Sequence, residues 1–242
     1  MPSRPSPKVL LIDIGDVVIW DPRPRIVREI VRREHLDPDL VHPVYYRTAH
    51  RLALGAIGLR EAYAHLRASL RWTLSYPKFH ELVASQSLVA VPGILPSLRD
   101  LRRRRTVRIV FASNTERITW EGLRRKFHLD EYADAAALSY RLRTMKPGRR
   151  FYRAALRIAR APANETLFLD NLAANVRGAR ALGIPSRTVR SPRDTLRVLR
   201  ALARGAAPGG TTAAGGGRSA DRLNRCTRAT GAARASSVPL PR

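Results

Sequence analysis

The chain has 242 residues, 44% of them hydrophobic, enough for one domain with an insertion or for two small domains around a real core. Its 45 Lys and Arg against 19 Asp and Glu leave a net charge of +26, a balance that favours anions as partners: phosphorylated metabolites, nucleic acid or acidic membrane surfaces. Cys226 is the one cysteine, which excludes a disulfide framework or a thiolate metal site within one chain and fits a reducing compartment.

The charge is nearly all arginine, spread through every segment beside abundant Ala, Gly and Pro, a pattern that compositional bias produces as readily as a polyanion-binding surface. The first apolar stretch, residues 9–20, contains Asp13 and Asp16, so it is no signal-peptide core, and no run approaches the roughly 18 residues that span a bilayer. The expectation is a cytoplasmic protein with no membrane partner. No zinc finger, helix-turn-helix signature or interleaved aromatic platform is present, so no specific nucleic-acid partner is expected.

Residues 1–7 alternate Pro, Ser and Arg and read as a frayed leader. Strand one follows over 8–14, a continuous Val, Ile and Leu run of the kind buried on both faces, and Gly15 and Asp16 then turn the chain. Helical patterning begins near Pro24, where Ile26, Ile30 and Val31 share a face, and continues through segments near 40–54, 59–70 and 77–85. A helix over 95–103 leads to strand two at 107–112, which runs into Ser113-Asn114-Thr115. An amphipathic stretch to Phe127, a short strand at 135–138 and a helix containing Phe151, Leu156 and Ile158 come next. A strand at 166–169, a helix at 173–182, a strand at 186–189 and a helix at 192–203, capped by Ser191, complete the pattern. Strands alternating with helices predict right-handed βαβ units and a parallel sheet. In such a sheet the polar residues that close the strands gather at one ligand-binding crevice. Residues 205–242, rich in Gly, Ala and Arg, are expected to be disordered.

Four segments in this order carry a resemblance: Leu11-Ile12-Asp13-Ile14-Gly15-Asp16-Val17, Ser113-Asn114-Thr115, Met145-Lys146-Pro147, and Leu169-Asp170-Asn171-Leu172-Ala173-Ala174-Asn175. Together they resemble the haloacid dehalogenase-like hydrolase superfamily over about residues 8–200, nearest to its α-D-glucose-1-phosphate phosphatase-like branch. The resemblance implies an α/β fold: a Rossmann-like three-layer parallel sheet with a small helical cap inserted after strand 1. The core would be residues 8–22 and 88–204, and the cap residues 23–87.

It also implies a Mg²⁺-dependent phosphatase acting on a small phosphorylated metabolite, such as a sugar phosphate, through an aspartyl-phosphate. Asp13 would be the nucleophile. Ser113, Asn114 and Lys146 would bind the phosphoryl group, and Lys146 would also stabilise the transition state. The metal would rest on Asp13, the Gly15 backbone carbonyl, Asp170 and Asn171. Two positions depart from the family pattern. Gly15 stands where most relatives carry a general-acid aspartate, although the glucose-1-phosphate phosphatase-like branch shares the glycine. Asn171 stands where the branch carries a second aspartate. Two further readings use the same residues: a catalytically degenerate module that binds phosphate or a partner, and a haloacid dehalogenase. Tyr45, Tyr46, Arg47, His50 and Arg51 lie on a cap helix and either face the substrate or pack on neighbouring helices. His35, His65 and His80 show no metal-ligand spacing. The oligomeric state is left open.

Overall fold

The computed structural model describes residues 6–84 and 88–205. Most of the leader and nearly all of the tail expected to be disordered therefore lie outside the described residues.

Strand β1 (Val9–Ile12) is buried along its whole length. It stops two residues earlier than the apolar run because Ile14 turns the chain: its carbonyl accepts the N–H groups of Val17, Val18 and Ile19. Four helices follow: α1 (Arg23–Glu34), α2 (Pro38–Ala53), α3 (Leu59–Leu70) and α4 (Tyr76–Ala84). Asp37 caps α2 by accepting the Asp39 N–H. These helices bury an apolar cluster of their own, with Ile30, Val41, Tyr63, Leu66, Trp72 and Phe79 at its centre. Where the chain returns, it pairs with the segment that led out: the Trp20 N–H donates to Val89 O and the Val91 N–H to Val18 O.

Beyond this joint come α5 (Ile94–Arg104), β2 (Arg108–Ser113), α6 (Arg117–Phe127), β3 (Ala135–Leu138), α7 (Ser139–Leu142), α8 (Arg149–Ala159), β4 (Thr166–Asp170), α9 (Ala173–Arg180), β5 (Ser186–Thr188) and α10 (Pro192–Ala203). The one-turn helix α7 was not expected; four residues are too few to show a helical period. Ser191 caps α10 as expected, accepting the Asp194 N–H at 3.2 Å.

The five strands form one parallel sheet in the order β3-β2-β1-β4-β5. Side chains alternate across it. Leu10, Ile12, Ile109, Phe111 and Leu169 point to the layer of α5, α6 and α10, where Leu98, Trp120 and Val198 wait. Leu11, Val110, Ala112 and Phe168 point to the layer of α8 and α9, against Phe151, Tyr152 and Ala179. Both faces are covered, which explains the unbroken apolar runs in the sequence. The fold is a Rossmann-like three-layer α/β sandwich. Its strand order reverses at β1, flanked by β2 and β4, so the crevice lies beyond the C-terminal ends of these three strands.

Candidate active site

Asp13 directly follows β1, Ser113 closes β2 and Asp170 closes β4, so the topology alone brings the three to the same sheet edge. Lys146 arrives from the loop before α8. Its ammonium lies 2.8 Å from Asp13 Oδ1 and 2.7 Å from Asp170 Oδ2, with all three side chains buried. Asp13, Lys146 and Asp170 therefore meet as a single ionic cluster.

The cluster is held in place by hydrogen bonds. Asp13 Oδ1 also accepts the Ile14 N–H at 2.7 Å. Both oxygens of Asp170 are occupied: Oδ1 accepts the Leu172 N–H at 2.7 Å, Oδ2 accepts Lys146, and the Asn175 side-chain amide lies 3.1 and 3.0 Å from the two. The Tyr152 hydroxyl in turn donates to Asn175 O at 2.6 Å. Asn114 clamps the lysine from the other side. Its Oδ1 accepts the Lys146 N–H and its Nδ2 donates to Lys146 O, both at 2.9 Å. What Asn114 keeps free is its second amide hydrogen. The Ser113 hydroxyl is buried and makes no hydrogen bond among the described residues, as does the half-buried Asn171 amide at the crevice.

Two carboxylates share one ammonium here, and the electrostatics show the imbalance. Burial, with Asp170 adding repulsion, pushes the Asp13 carboxyl up to about 7 against the pull of Lys146. For Lys146 burial acts against the charge, but Asp13 and Asp170 outweigh it and hold the ammonium above its ordinary value. Asp16, the other carboxylate of the first motif, does not join them. It adopts a left-handed φ of 56°, and its Oδ1 accepts the Asp21 N–H at 2.9 Å. Desolvation raises its carboxyl.

Gly178 sets the approach of α9 to this loop. A Cβ there would lie 2.6 Å from Pro147 O and 3.1 Å from the Tyr152 ring, neither of which can yield easily. Gly178→Ala is therefore expected to destabilise the fold by about 1–3 kcal/mol and to shift Lys146. Urea midpoints read alongside activity check this; unchanged values for both would show that the loop absorbs the methyl group.

Some polar groups here were not anticipated. Ser139 Oγ accepts the Thr115 N–H at 2.9 Å and reaches Ala53 O at 2.6 Å, tying the end of α2 to the second-motif loop. Gly55 allows the same approach: at φ +70°, a Cβ would sit 2.5 Å from Tyr140 O. A serine that follows a short strand gives no sequence signal of either tie. Glu116, one residue past the second motif, is buried and accepts the Thr119 hydroxyl at 2.8 Å. It lies within electrostatic reach of Arg23 and Tyr45, and Arg23 is gripped by Asp21 at 2.7 Å. Of the α2 residues, Tyr45 is buried and its phenol is held above the usual range, chiefly by desolvation. Arg47 and His50 are exposed, and Arg51 lies 3.5 Å from Glu61.

A doubly wound parallel sheet with a buried aspartate–lysine–aspartate cluster at its switch point defines an α/β protein with its chemistry at the carboxyl edge. Residues 7–183 match the haloacid dehalogenase-like hydrolase family, and the chain belongs to it. No curated protein matches the sequence significantly.

Among solved structures, a HAD family enzyme from Bacteroides thetaiotaomicron superposes with a TM-score of 0.68 at 24% identity, covering 77% of this chain and 95% of that one. The wild-type form of that enzyme in complex with magnesium and inorganic phosphate gives 0.65 at 23%, covering 77% and 96%. An L-2-haloacid dehalogenase from Xanthobacter autotrophicus, with chloropropionic acid covalently bound, gives 0.56 at 16%, covering 80% and 82%. At these identities the likeness shows a shared fold. Among the described residues no helix is long and apolar enough to cross a membrane.

Proposed function

We propose that this hydrolase is a Mg²⁺-dependent phosphatase that removes the phosphoryl group from a small metabolite, a sugar phosphate by its resemblance, through an aspartyl-phosphate. One observation carries the reading. Asp13 is buried at the crevice with Oδ1 fixed by Lys146 and Ile14, while Oδ2 has no protein partner among the described residues. Oδ2 attacks phosphorus, the bond from phosphorus to the leaving oxygen breaks, and water then cleaves the acyl phosphate to return the carboxylate. Lys146 places its charge beside both the nucleophile and the incoming phosphate. The Ser113 hydroxyl and the remaining Asn114 amide hydrogen donate to phosphoryl oxygens. Residues 23–87 act as a cap over this edge.

The donor set suits a hard cation held loosely. No three His, Cys, Asp or Glu side chains converge as a metal site among the described residues. Yet with Asp13 ionised the Asp13–Lys146–Asp170 cluster carries one negative charge in excess, and Asp13 Oδ2, the Asn171 amide oxygen and the Gly15 carbonyl would be the oxygen ligands. Mg²⁺ is commonly held by one or two carboxylates plus substrate phosphate. There it would neutralise charge between the nucleophile and the phosphate. Asp170, with both oxygens already bonded, chiefly orients Lys146; direct ligation by it requires release of the Asn175 amide.

The expected result is phosphate release from an aryl phosphate with Mg²⁺ and none with a chelator. Asn171→Asp adds the missing charge and is expected to lower the Mg²⁺ concentration for half-maximal rate by about tenfold, roughly 1.4 kcal/mol of binding. An unchanged Mg²⁺ dependence would place Asn171 outside the metal's reach. The thin donor set favours one second reading, a haloacid dehalogenase in which Lys146 alone balances the nucleophile. Halide release from a haloacid in the presence of chelator would decide for it.

A further inference from the structure

At the opposite end of the sheet, five guanidiniums and two carboxylates line an open cavity of about 770 Å³. Arg108 opens β2 and Ser113 closes it, so roughly 17 Å of strand separates this cavity from the Asp13 crevice. Two of the arginines are pinned. Arg99 is paired with Glu131 at 2.8 Å and with the Tyr132 hydroxyl at 2.6 Å. Arg102 is paired with Asp134 at 3.2 Å and with Asp130 O at 2.6 Å. Among the described residues the other three, Arg103, Arg105 and Arg108, make no ion pair, and the buried Arg108 Nε has no hydrogen-bond partner. Arginines in the last turn of α5 complement the helix dipole. That accounts for Arg102 and Arg103, but Arg108 lies on a strand and gains nothing from it. Three of the five guanidiniums that line the cavity are thus left without a counter-charge among the described residues, a surplus that suits an anionic ligand.

We propose that this cavity binds a short oligophosphate, a chain of two or more linked phosphoryl groups, independently of the catalytic centre. Guanidinium forks match phosphoryl oxygens bidentately, and several forks around one cavity suit several linked phosphates better than one. The volume is that of a small-ligand site. Tyr132, the aromatic ring beside Arg99, already has that guanidinium 4.8 Å over its face and its hydroxyl bonded, so no free ring is offered for a nucleobase. The site therefore counts phosphates and ignores what is attached to them.

Calorimetric titration of the full chain with tripolyphosphate in metal-free buffer at low salt tests this. Arg103→Gln/Arg105→Gln and, separately, Arg108→Gln are each expected to weaken binding at least tenfold. Arg197→Gln/Arg200→Gln, a charge-matched control on α10, is expected to stay within twofold of the unmodified chain. ATP and GTP are expected to bind within threefold of tripolyphosphate. If Arg108→Gln does not fold, the exposed Arg103/Arg105 pair decides alone. An equal loss in the α10 control means diffuse surface charge and overturns the proposal. So does binding that survives the cavity substitutions but vanishes in Lys146→Ala, which puts the ligand in the catalytic centre. Binding of nucleic-acid polymers with no response to tripolyphosphate overturns it as well.

Discussion

Asp13→Asn is expected to abolish phosphate release, by on the order of 10³-fold or more, and at the same time to stabilise the metal-free protein near neutral pH. The loss follows from removing the oxygen that attacks phosphorus. The gain follows from the charge balance: Asp13 and Asp170 face one ammonium, and burial pushes the Asp13 carboxyl from an ordinary 3.8 up to about 7. A group that holds its proton more tightly folded than unfolded favours the fold most when protonated. Its contribution is therefore complete below about pH 4 and lost as pH rises toward 7. The unmodified protein without metal should thus lose stability across that window, on the order of 4 kcal/mol, a shift in which the pull of Lys146 is already included. An amide at position 13 cannot ionise and leaves Lys146 and Asp170 as a neutral pair, so the drop should vanish. Urea unfolding at pH 5 and pH 8 with chelator, for both proteins, measures this. A variant no more stable than the unmodified chain at pH 8 would show that Asp13 is already compensated there and weaken the case for a cation. Added Mg²⁺ should raise the midpoint of the unmodified protein and leave that of Asp13→Asn nearly unmoved.

The parts of this architecture legible in the sequence are those set by short-range pattern. The runs at 9–12, 108–113 and 166–170 are apolar on both faces because helices cover both faces, and that is visible as composition before any contact is known. Strand alternation with helices then fixes the parallel sheet, and the parallel sheet fixes which ends meet. Asp13, Ser113 and Asp170 could therefore be placed together from topology, and Lys146 through the family resemblance. The division of labour among the polar side chains was not legible, because it depends on which hydrogen bonds close in three dimensions. Asn114 was expected to face phosphate, yet most of its amide grips the Lys146 backbone. Asp170 was expected at the metal, yet its oxygens are engaged by Lys146, Leu172 and Asn175. Ser139 and Gly55 join α2 to the core through carbonyl contacts that leave no trace in periodicity.

Gly15→Asp is expected to raise the rate on alkyl phosphates by about 10²-fold, within the 10²–10⁴ range for a positioned general acid, with little change on aryl phosphates. An alkoxide is a poor leaving group and needs a proton as its bond to phosphorus breaks; a phenolate does not. Among the described residues the proton-bearing neighbour of the nucleophile is the Lys146 ammonium, which two carboxylates hold in its charged form. Asp16, one position further on, has a left-handed backbone and its carboxylate accepts the Asp21 N–H, so it cannot stand in without breaking that turn. Position 15 itself is open. A Cβ there meets nothing within 4 Å, and its φ lies outside the left-handed region, so a side chain fits without strain. The new carboxyl would sit two residues after Asp13, in the open space that a Cβ at position 15 meets. Its protonated form is the active one for the first step, so the alkyl-phosphate advantage should decline as pH rises through its titration, while the aryl rate should not follow. Paired kcat measurements on one alkyl and one aryl phosphate from pH 5 to 8 test this. Equal gains on both substrates would mean that the aspartate acts on the metal or the fold rather than on the leaving group. No gain on either, in a folded variant, would mean that the proton comes from elsewhere, with Tyr45 and Glu116, within electrostatic reach of each other, the next to be substituted.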